Sequence, residues 1–185
     1  MVAGSILPIT IYKNELYFLF GKENPLEDSA QGWSDFGGRA EDKETPFQAA
    51  LREGGEELTG FLGDAAELKR QIRKHGGTYN ISHNGYHVHM MYMEYDENLP
   101  KYFNQNHKFL WNRMDHGVLN ETKLFEKIEI DWFSKEDMRK RMSKFRPFYQ
   151  TLVKQFLQES VKITKFAKKG QRPSRSNKTQ KSSTM

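Results

Sequence analysis

Hydrophobic and polar positions alternate from the start of the chain: "SILPITIY", the polar pair Lys13-Asn14, then "ELYFLFGK". β-branched and aromatic residues alternating on either side of a two-residue turn predict a hairpin. "NPLEDSAQG" predicts a loop, and "WSDFGG" a short extended segment ending in a Gly-Gly turn. The period then changes. Thr45-Pro46 signals a helix start, Gln48 is placed to complete a capping box, and Phe47, Leu51, Gly54 and Leu58 recur at helical spacing as a buried stripe. "DAAELKRQIRKH" predicts a short helix opened by Asp64, and "TYNISH" and "YHVHMMYMEY" two strands. "YFNQNHKFLWNRM" predicts a helix inside an insert from Asp96 to Lys123. After it come a strand in "LFEKIEIDWF", a Ser-capped helix in "SKEDMRKRM", and a helix from Pro147 to Phe166. No repeat and no second hydrophobic core stands out. The order predicts α+β, or a three-layer sandwich around a mixed sheet, rather than strict βαβ alternation.

Composition refines this picture at one end. Hydrophobic residues make up 36% of the 185 and aromatics 13%, enough for one packed domain, yet the mean hydropathy of -0.84 requires part of the chain to be very polar. Eight of the 29 Lys and Arg lie after Ser160 with no acidic residue among them, leaving 21 against 24 Asp and Glu before it. The net charge of +5 therefore belongs to the tail. The expected division is a domain over 1–165 and a disordered basic tail over 166–185, which either solubilises or targets the protein or contacts phosphates of a nucleic acid. Cysteine is absent, which excludes disulfides and thiol nucleophiles and fits a reducing compartment. With no charged leader and no long apolar run, the expectation is a cytoplasmic protein without a membrane partner.

The densest chemistry lies in "GGRAEDKETPFQAALREGGEELTG". Glu53, Glu56 and Glu57 stand at i, i+3 and i+4 and converge on one patch of a helix. Three carboxylates within one turn repel one another, and a divalent cation relieves that repulsion. Oxygen ligands on a rigid helix suit Mg²⁺ or Mn²⁺, whose remaining positions go to water and substrate phosphate. Such a site acts on phosphates.

These residues match the Nudix box, Gly-x5-Glu-x7-Arg-Glu-U-x-Glu-Glu-x-Gly-U with U a bulky aliphatic residue. Gly38, Glu44, Arg52, Glu53, Glu56 and Glu57 all stand at its spacings. Gly54 takes the aliphatic position, the last glycine is displaced by one to Gly60, and Phe36 stands where a proline commonly precedes the Gly-Gly pair. The resemblance spans roughly residues 5 to 160 and implies a Nudix-type α/β/α sandwich with a C-terminal helix. It further implies a metal held by Glu53, Glu56, Glu57 and the Gly38 carbonyl, Arg52 holding the carboxylates, and Glu44 bracing the loop. The reaction implied is water attack on phosphorus in a nucleoside diphosphate linked to another group.

The attacking water needs a proton acceptor from elsewhere in the fold. "FEKIEIDWFS" resembles a segment of mRNA-decapping Nudix enzymes, which implies Glu126 as base and Asp131 near the metal. Glu129 competes for the base, and charges facing outward on an edge strand remain the plain alternative. Trp33, Phe36 and Tyr102 are candidates to stack a nucleobase, and Arg39 and Glu129 to contact substrate. His87 and His89 share a strand face, where a hydrogen-bonded sheet histidine is the commoner arrangement than zinc. The chain also resembles Nudix proteins of large DNA viruses, some of which remove mRNA caps. Capped RNA is therefore the preferred substrate expectation. Dinucleoside polyphosphates, ADP-ribose or diphosphoinositol phosphates, or a catalytically weak binding module, are the alternatives.

Overall fold

The computed structural model describes residues 2–26, 31–122 and 125–171, so the tail from Arg172 onward lies outside the described residues. Strands β1 (Ala3–Tyr12) and β2 (Glu15–Glu23) form the expected hairpin. Its turn places Lys13 and Asn14 at φ 48° and 65°, the left-handed pair that matches the twist of the two strands. There follow β3 (Trp33–Ser34), β4 (Phe36–Arg39), α1 (Pro46–Glu57), α2 (Ala65–Lys74), β5 (Thr78–His83) and β6 (Tyr86–Tyr92). The remainder is α3 (Asn98–Trp111), α4 (His116–Thr122), β7 (Lys127–Ser134), α5 (Lys135–Lys140), α6 (Tyr149–Gln158) and α7 (Ser160–Gly170).

One edge of β1 is shared: its first residues pair antiparallel with β4 and its last with β2, while β6 runs parallel along the other edge. β7 and β3 extend the sheet beyond β2, and β5 lies outside β6, giving seven mixed strands. Alternation sends Leu7, Ile9, Phe18, Phe20 and Phe133 to one face, where Tyr149, Phe156 and Ile163 of α6 and α7 cover them. Ile6, Leu19, Ile130 and Trp132 face the other way, against Leu51, Leu68 and Phe103 of α1, α2 and α3. This is the α/β/α sandwich that the sequence predicts.

α1 begins as expected. Thr45 and Gln48 form the reciprocal capping box and Pro46 opens the helix, while Leu51, Gly54 and Leu58 are buried and Phe47 only partly. The two interior glycines separate into different cases. A Cβ on Gly54 would stand 3.1 Å from Ile6 Cγ1 and 3.3 Å from its Cβ, so glycine lets the helix approach β1 closely. A Cβ on Gly55 meets nothing nearer than 3.5 Å. Gly55→Ala is accordingly expected to stabilise the fold by about 0.5 to 1 kcal/mol. Gly54→Ala is expected to destabilise it by about 1 kcal/mol, because overpacking exceeds the gain in helix propensity. Urea unfolding of the two variants measures both signs.

Three expectations change. Gly37 and Gly38 form no turn but lie within β4, where a Cβ on Gly37 would fall 2.2 Å from that of Ser5 on β1. The C-terminal helix is two helices: Glu159 leaves the helical path at φ -90°, ψ 7°, and accepts a hydrogen bond from the Tyr79 hydroxyl. α7 then continues to Gly170, whose carbonyl pairs with His75 Nδ1 at 2.8 Å, so the ordered chain extends past the division at 165. No helix among the described residues is long and apolar enough to cross a membrane.

Candidate active site

The loop after β4 and the helix α1 are tied together by one guanidinium. Arg52 has five N–H donors, and each finds an acceptor. Nε and Nη2 grip the two Glu44 oxygens at 3.1 and 3.0 Å, and Nη2 also reaches the Arg39 carbonyl at 3.3 Å. Nη1 reaches Glu53 at 2.9 Å and Glu56 at 3.3 Å. The Arg52 bonds hold the Glu44 carboxyl below its usual range and raise the arginine's own pKa. Gly38 is needed beneath this arrangement, since a Cβ there would sit 2.4 Å from Glu53 Oε1.

Glu53 and Glu57, one turn apart on α1, meet Glu126 from the bend before β7. One carboxylate oxygen from each lies within 4.8 Å of the other two. Three points so spaced enclose a centre no farther than about 2.8 Å from each, a hydrogen-bond distance for water, while Mg²⁺ draws oxygens in to about 2.0–2.1 Å. Glu57 is buried; its Oε2 accepts the Gly37 N–H at 2.9 Å. Burial raises its pKa well above the carboxylate norm, and Glu23, Glu126 and Glu53 push the same way against Lys127. Burial also raises Glu53, opposed by Arg52. Crowded, partly desolvated hard oxygens are a fitting donor set for a divalent cation.

Other expected site residues lie elsewhere. Glu56 stays outside the group of three; its mostly exposed carboxylate lies 3.3 Å from Arg52 Nη1. Asp131 is also outside it, further along β7, where Arg141 faces it at 3.6 Å. Glu129 pairs with Lys22 at 3.5 Å on β2. Phe36 is fully enclosed in the core and offers no face to a base. Trp33 is buried edge-to-face on Phe133, Tyr102 is exposed on α3, and exposed Arg39 reaches the site through its carbonyl.

Two buried groups escaped the sequence reading. Lys127 is 1% exposed, 2.5 Å from Glu23 and 3.5 Å from Glu57, and Arg146 adds a second cation on Glu23 at 2.7 Å. Asp35, also buried, accepts from Ser5 and from Tyr86 at 2.6 Å. Strand parity gives no signal for Lys127, because a register shift between Lys22 and Glu23 places it opposite Glu23, on the face away from Phe133.

On β6, His87 Nδ1 pairs with Ser82 and His89 Nδ1 with Asn80 at 2.8 and 2.9 Å. Burial, aided by His87, lowers the His89 pKa to about 4. An unfolded histidine binds its proton near pH ~6.5, so stability is complete above that value and is lost as pH falls toward about 4, by up to about 1.4 kcal/mol per pH unit. Urea midpoints measured between these limits are expected to fall less steeply in His89→Gln.

The fold is that of Nudix hydrolases. A solved Ap4A hydrolase of C. elegans in a binary complex aligns with 88% of this chain and 98% of its own at 14% identity, with a TM-score of 0.52. A second structure of C. elegans Ap4A hydrolase covers 88% and 99% at 15% identity and TM-score 0.48. A Nudix hydrolase of M. smegmatis covers 88% of both chains at 12% identity and TM-score 0.45. The fold assignment rests on the first of these. No family model matches the chain, and no curated protein sequence matches it.

Proposed function

We propose that this Nudix-fold chain is a divalent-cation-dependent pyrophosphohydrolase that cleaves the phosphate bridge of a nucleoside diphosphate joined to a second group. The observation that carries the reading is the convergence of Glu53, Glu57 and Glu126 from two separate elements, with Arg52 and Gly37 fixing the first two. Glu53 and Glu57 would hold Mg²⁺ or Mn²⁺, beside Gly38 and with Glu56 at the rim on Arg52. When bound, the cation neutralises charge on the phosphate oxygens and favours ionisation of the attacking water.

The side chains do the rest. Arg52 opposes the effect of burial on the Glu53 carboxyl and aims it, and its two bonds to Glu44 tie the loop after β4 to α1. The Gly37 N–H and Lys127 orient Glu57 from behind. Glu126 would accept the proton as water forms its bond to phosphorus and the bridging P–O bond breaks, the other phosphate leaving as an anion. Among the acidic residues of the β7 segment, Glu126 is the one that reaches the cluster.

The substrate class we favour is two nucleosides bridged by phosphates. Two sources share that chemistry, a small dinucleoside polyphosphate and the cap of an mRNA. The C. elegans Ap4A hydrolase of the same fold supports the first. The resemblance around Glu126 and the basic tail support the second, although Asp131 stands away from the cluster. Incubating the protein with Mg²⁺ or Mn²⁺ and a panel of diadenosine tetraphosphate, cap-labelled RNA and ADP-ribose tests the reading, with products identified by chromatography. Cleavage of a bridged dinucleoside or cap is expected. Turnover of ADP-ribose alone would reject the bridged class, and turnover of nothing in the panel would reject the reading.

A further inference from the structure

The two faces of α3 are unlike. Its inner face buries Leu99, Phe103 and His107, and Asn104 pins it to β7 by donating to the Ile130 carbonyl at 3.1 Å and accepting the Ile130 N–H at 2.8 Å. Its outer face carries Tyr102, Asn106 and Phe109 at i, i+4 and i+7, one line along the helix. Tyr102 is 57% exposed and Phe109 52%, two large rings left in water about 10 Å apart at helical rise. Each ring has a cation on it. Lys101 Nζ lies 5.7 Å from the Tyr102 centroid, and Arg113, just past the helix end, places Cζ 3.7 Å from that of Phe109.

The charge of this helix runs against that of its domain. From Asn98 to Met114 the chain has Lys101, Lys108 and Arg113 and no Asp or Glu, although up to Ser160 acidic residues outnumber basic ones by 24 to 21. An apolar partner calls for a continuous apolar face, but the exposed amides of Gln105 and Asn106 stand between the rings. An acidic peptide would use the cations and leave the rings in water. Single-stranded RNA offers a counterpart to each group: base faces for the rings and the Arg113 plane, base edges for the amides, and phosphates for the cations. Position points the same way. Lys108, on the flank of the stripe, lines a cavity together with Phe125, and the next residue is Glu126 of the carboxylate group.

We propose that the outer face of α3 holds the single-stranded RNA that follows a cap, with Tyr102 and Phe109 stacking bases and Lys101, Lys108 and Arg113 meeting phosphates. The surface concerns the body of the RNA and not the nucleotide being cleaved. The assignment rests on the carboxylate reading above for the reaction, and of the two bridged sources it selects capped RNA over the small dinucleoside polyphosphate.

The full chain is titrated into a fluorescently labelled single-stranded RNA in EDTA, so that no metal-dependent cleavage intervenes, and anisotropy is followed. Binding is expected, and Tyr102→Ala and Phe109→Ala should each weaken it about fivefold or more, the scale of one lost base–aromatic stack. Tyr102→Trp and Phe109→Trp should keep it. Both rings are exposed, so the alanine variants are expected to melt with the wild type. Lys108→Gln should flatten the dependence of log affinity on log salt by about 0.7, the share of one phosphate contact on a single strand. With Mg²⁺ present, the ring losses should appear in KM for capped RNA rather than in kcat. RNA that fails to bind, that binds a folded Tyr102→Ala/Phe109→Ala double variant as tightly as wild type, or that polyglutamate displaces as readily as unlabelled RNA does would overturn the surface. The two readings fail separately. RNA held by α3 but never cleaved with Mg²⁺ or Mn²⁺ rejects the carboxylate assignment, and capped RNA cleaved with unaltered KM by the double variant rejects the α3 surface.

Discussion

Glu57→Gln is expected to lower kcat by about 10³-fold or more and to leave the protein folded. The variant keeps an acceptor for the Gly37 N–H but removes the charge at the centre of the carboxylate group. A cation site contributes several kcal/mol to the transition state, and each 1.4 kcal/mol is about tenfold in rate. Stability should move the other way. Burial raises the Glu57 pKa, and Glu23, Glu126 and Glu53 add to the shift. An acid whose folded pKa exceeds its unfolded value contributes stability below the unfolded value and loses it as pH rises through the folded one. Neutral pH lies on the losing side, so Glu57→Gln is expected to melt at or above the wild-type temperature. A variant both inactive and strongly destabilised would mean that Glu57 serves the fold rather than the chemistry. Steady-state kinetics paired with calorimetry separates the two.

Lys127→Met is expected to be the most destabilising single change, by about 3 to 5 kcal/mol, the scale for removing one partner of a buried ion pair. Burial disfavours the Lys127 charge, but Glu57 and Glu23 outweigh it and the net pKa shift is upward. Without the ammonium, Glu57 loses its counter-charge, while Glu23 keeps Arg146 at 2.7 Å. Adding Glu57→Gln should therefore recover part of the loss, because the stranded carboxylate is neutralised. Urea unfolding of the single and double variants gives the coupling directly. A Lys127→Met protein as stable as wild type would show that the buried charges do not depend on one another.

Much of the fold was legible in the sequence because it is written locally. The Lys13-Asn14 turn, the Thr45-Pro46-Gln48 cap and the Ser134 cap need only neighbouring residues. The motif spacing puts Glu53 and Glu57 together, with Glu56 beside them. Glu126 rests only on the resemblance to mRNA-decapping enzymes, with Glu129 as its competitor; nothing local in the sequence places its carboxylate within 4.8 Å of the other two. What the sequence hid depends on packing across the sheet. Gly54 reads as a helix defect until Ile6 is seen against it. Phe36 reads as an aromatic near the site until the core closes over it. Asp131 carries the right chemistry, but Arg141 faces it across the fold, and an ion pair between side chains of different elements leaves no periodic trace. Lys127 was hidden more deeply, since lysine in a charged strand segment normally faces water.

Glu53 and Glu57 are proposed to hold a divalent cation where phosphate is cleaved, with Glu126 beside them as the base. Mn²⁺ binding followed by electron paramagnetic resonance tests it most directly, on wild type and on Glu53→Gln, Glu57→Gln and Glu126→Gln. The wild type is expected to bind Mn²⁺ at a site that loses affinity about tenfold or more when either α1 carboxylate is neutralised. A smaller loss is expected for Glu126→Gln, whose main effect falls on turnover. Mn²⁺ affinity unchanged in both Glu53→Gln and Glu57→Gln, with both proteins folded, would contradict it.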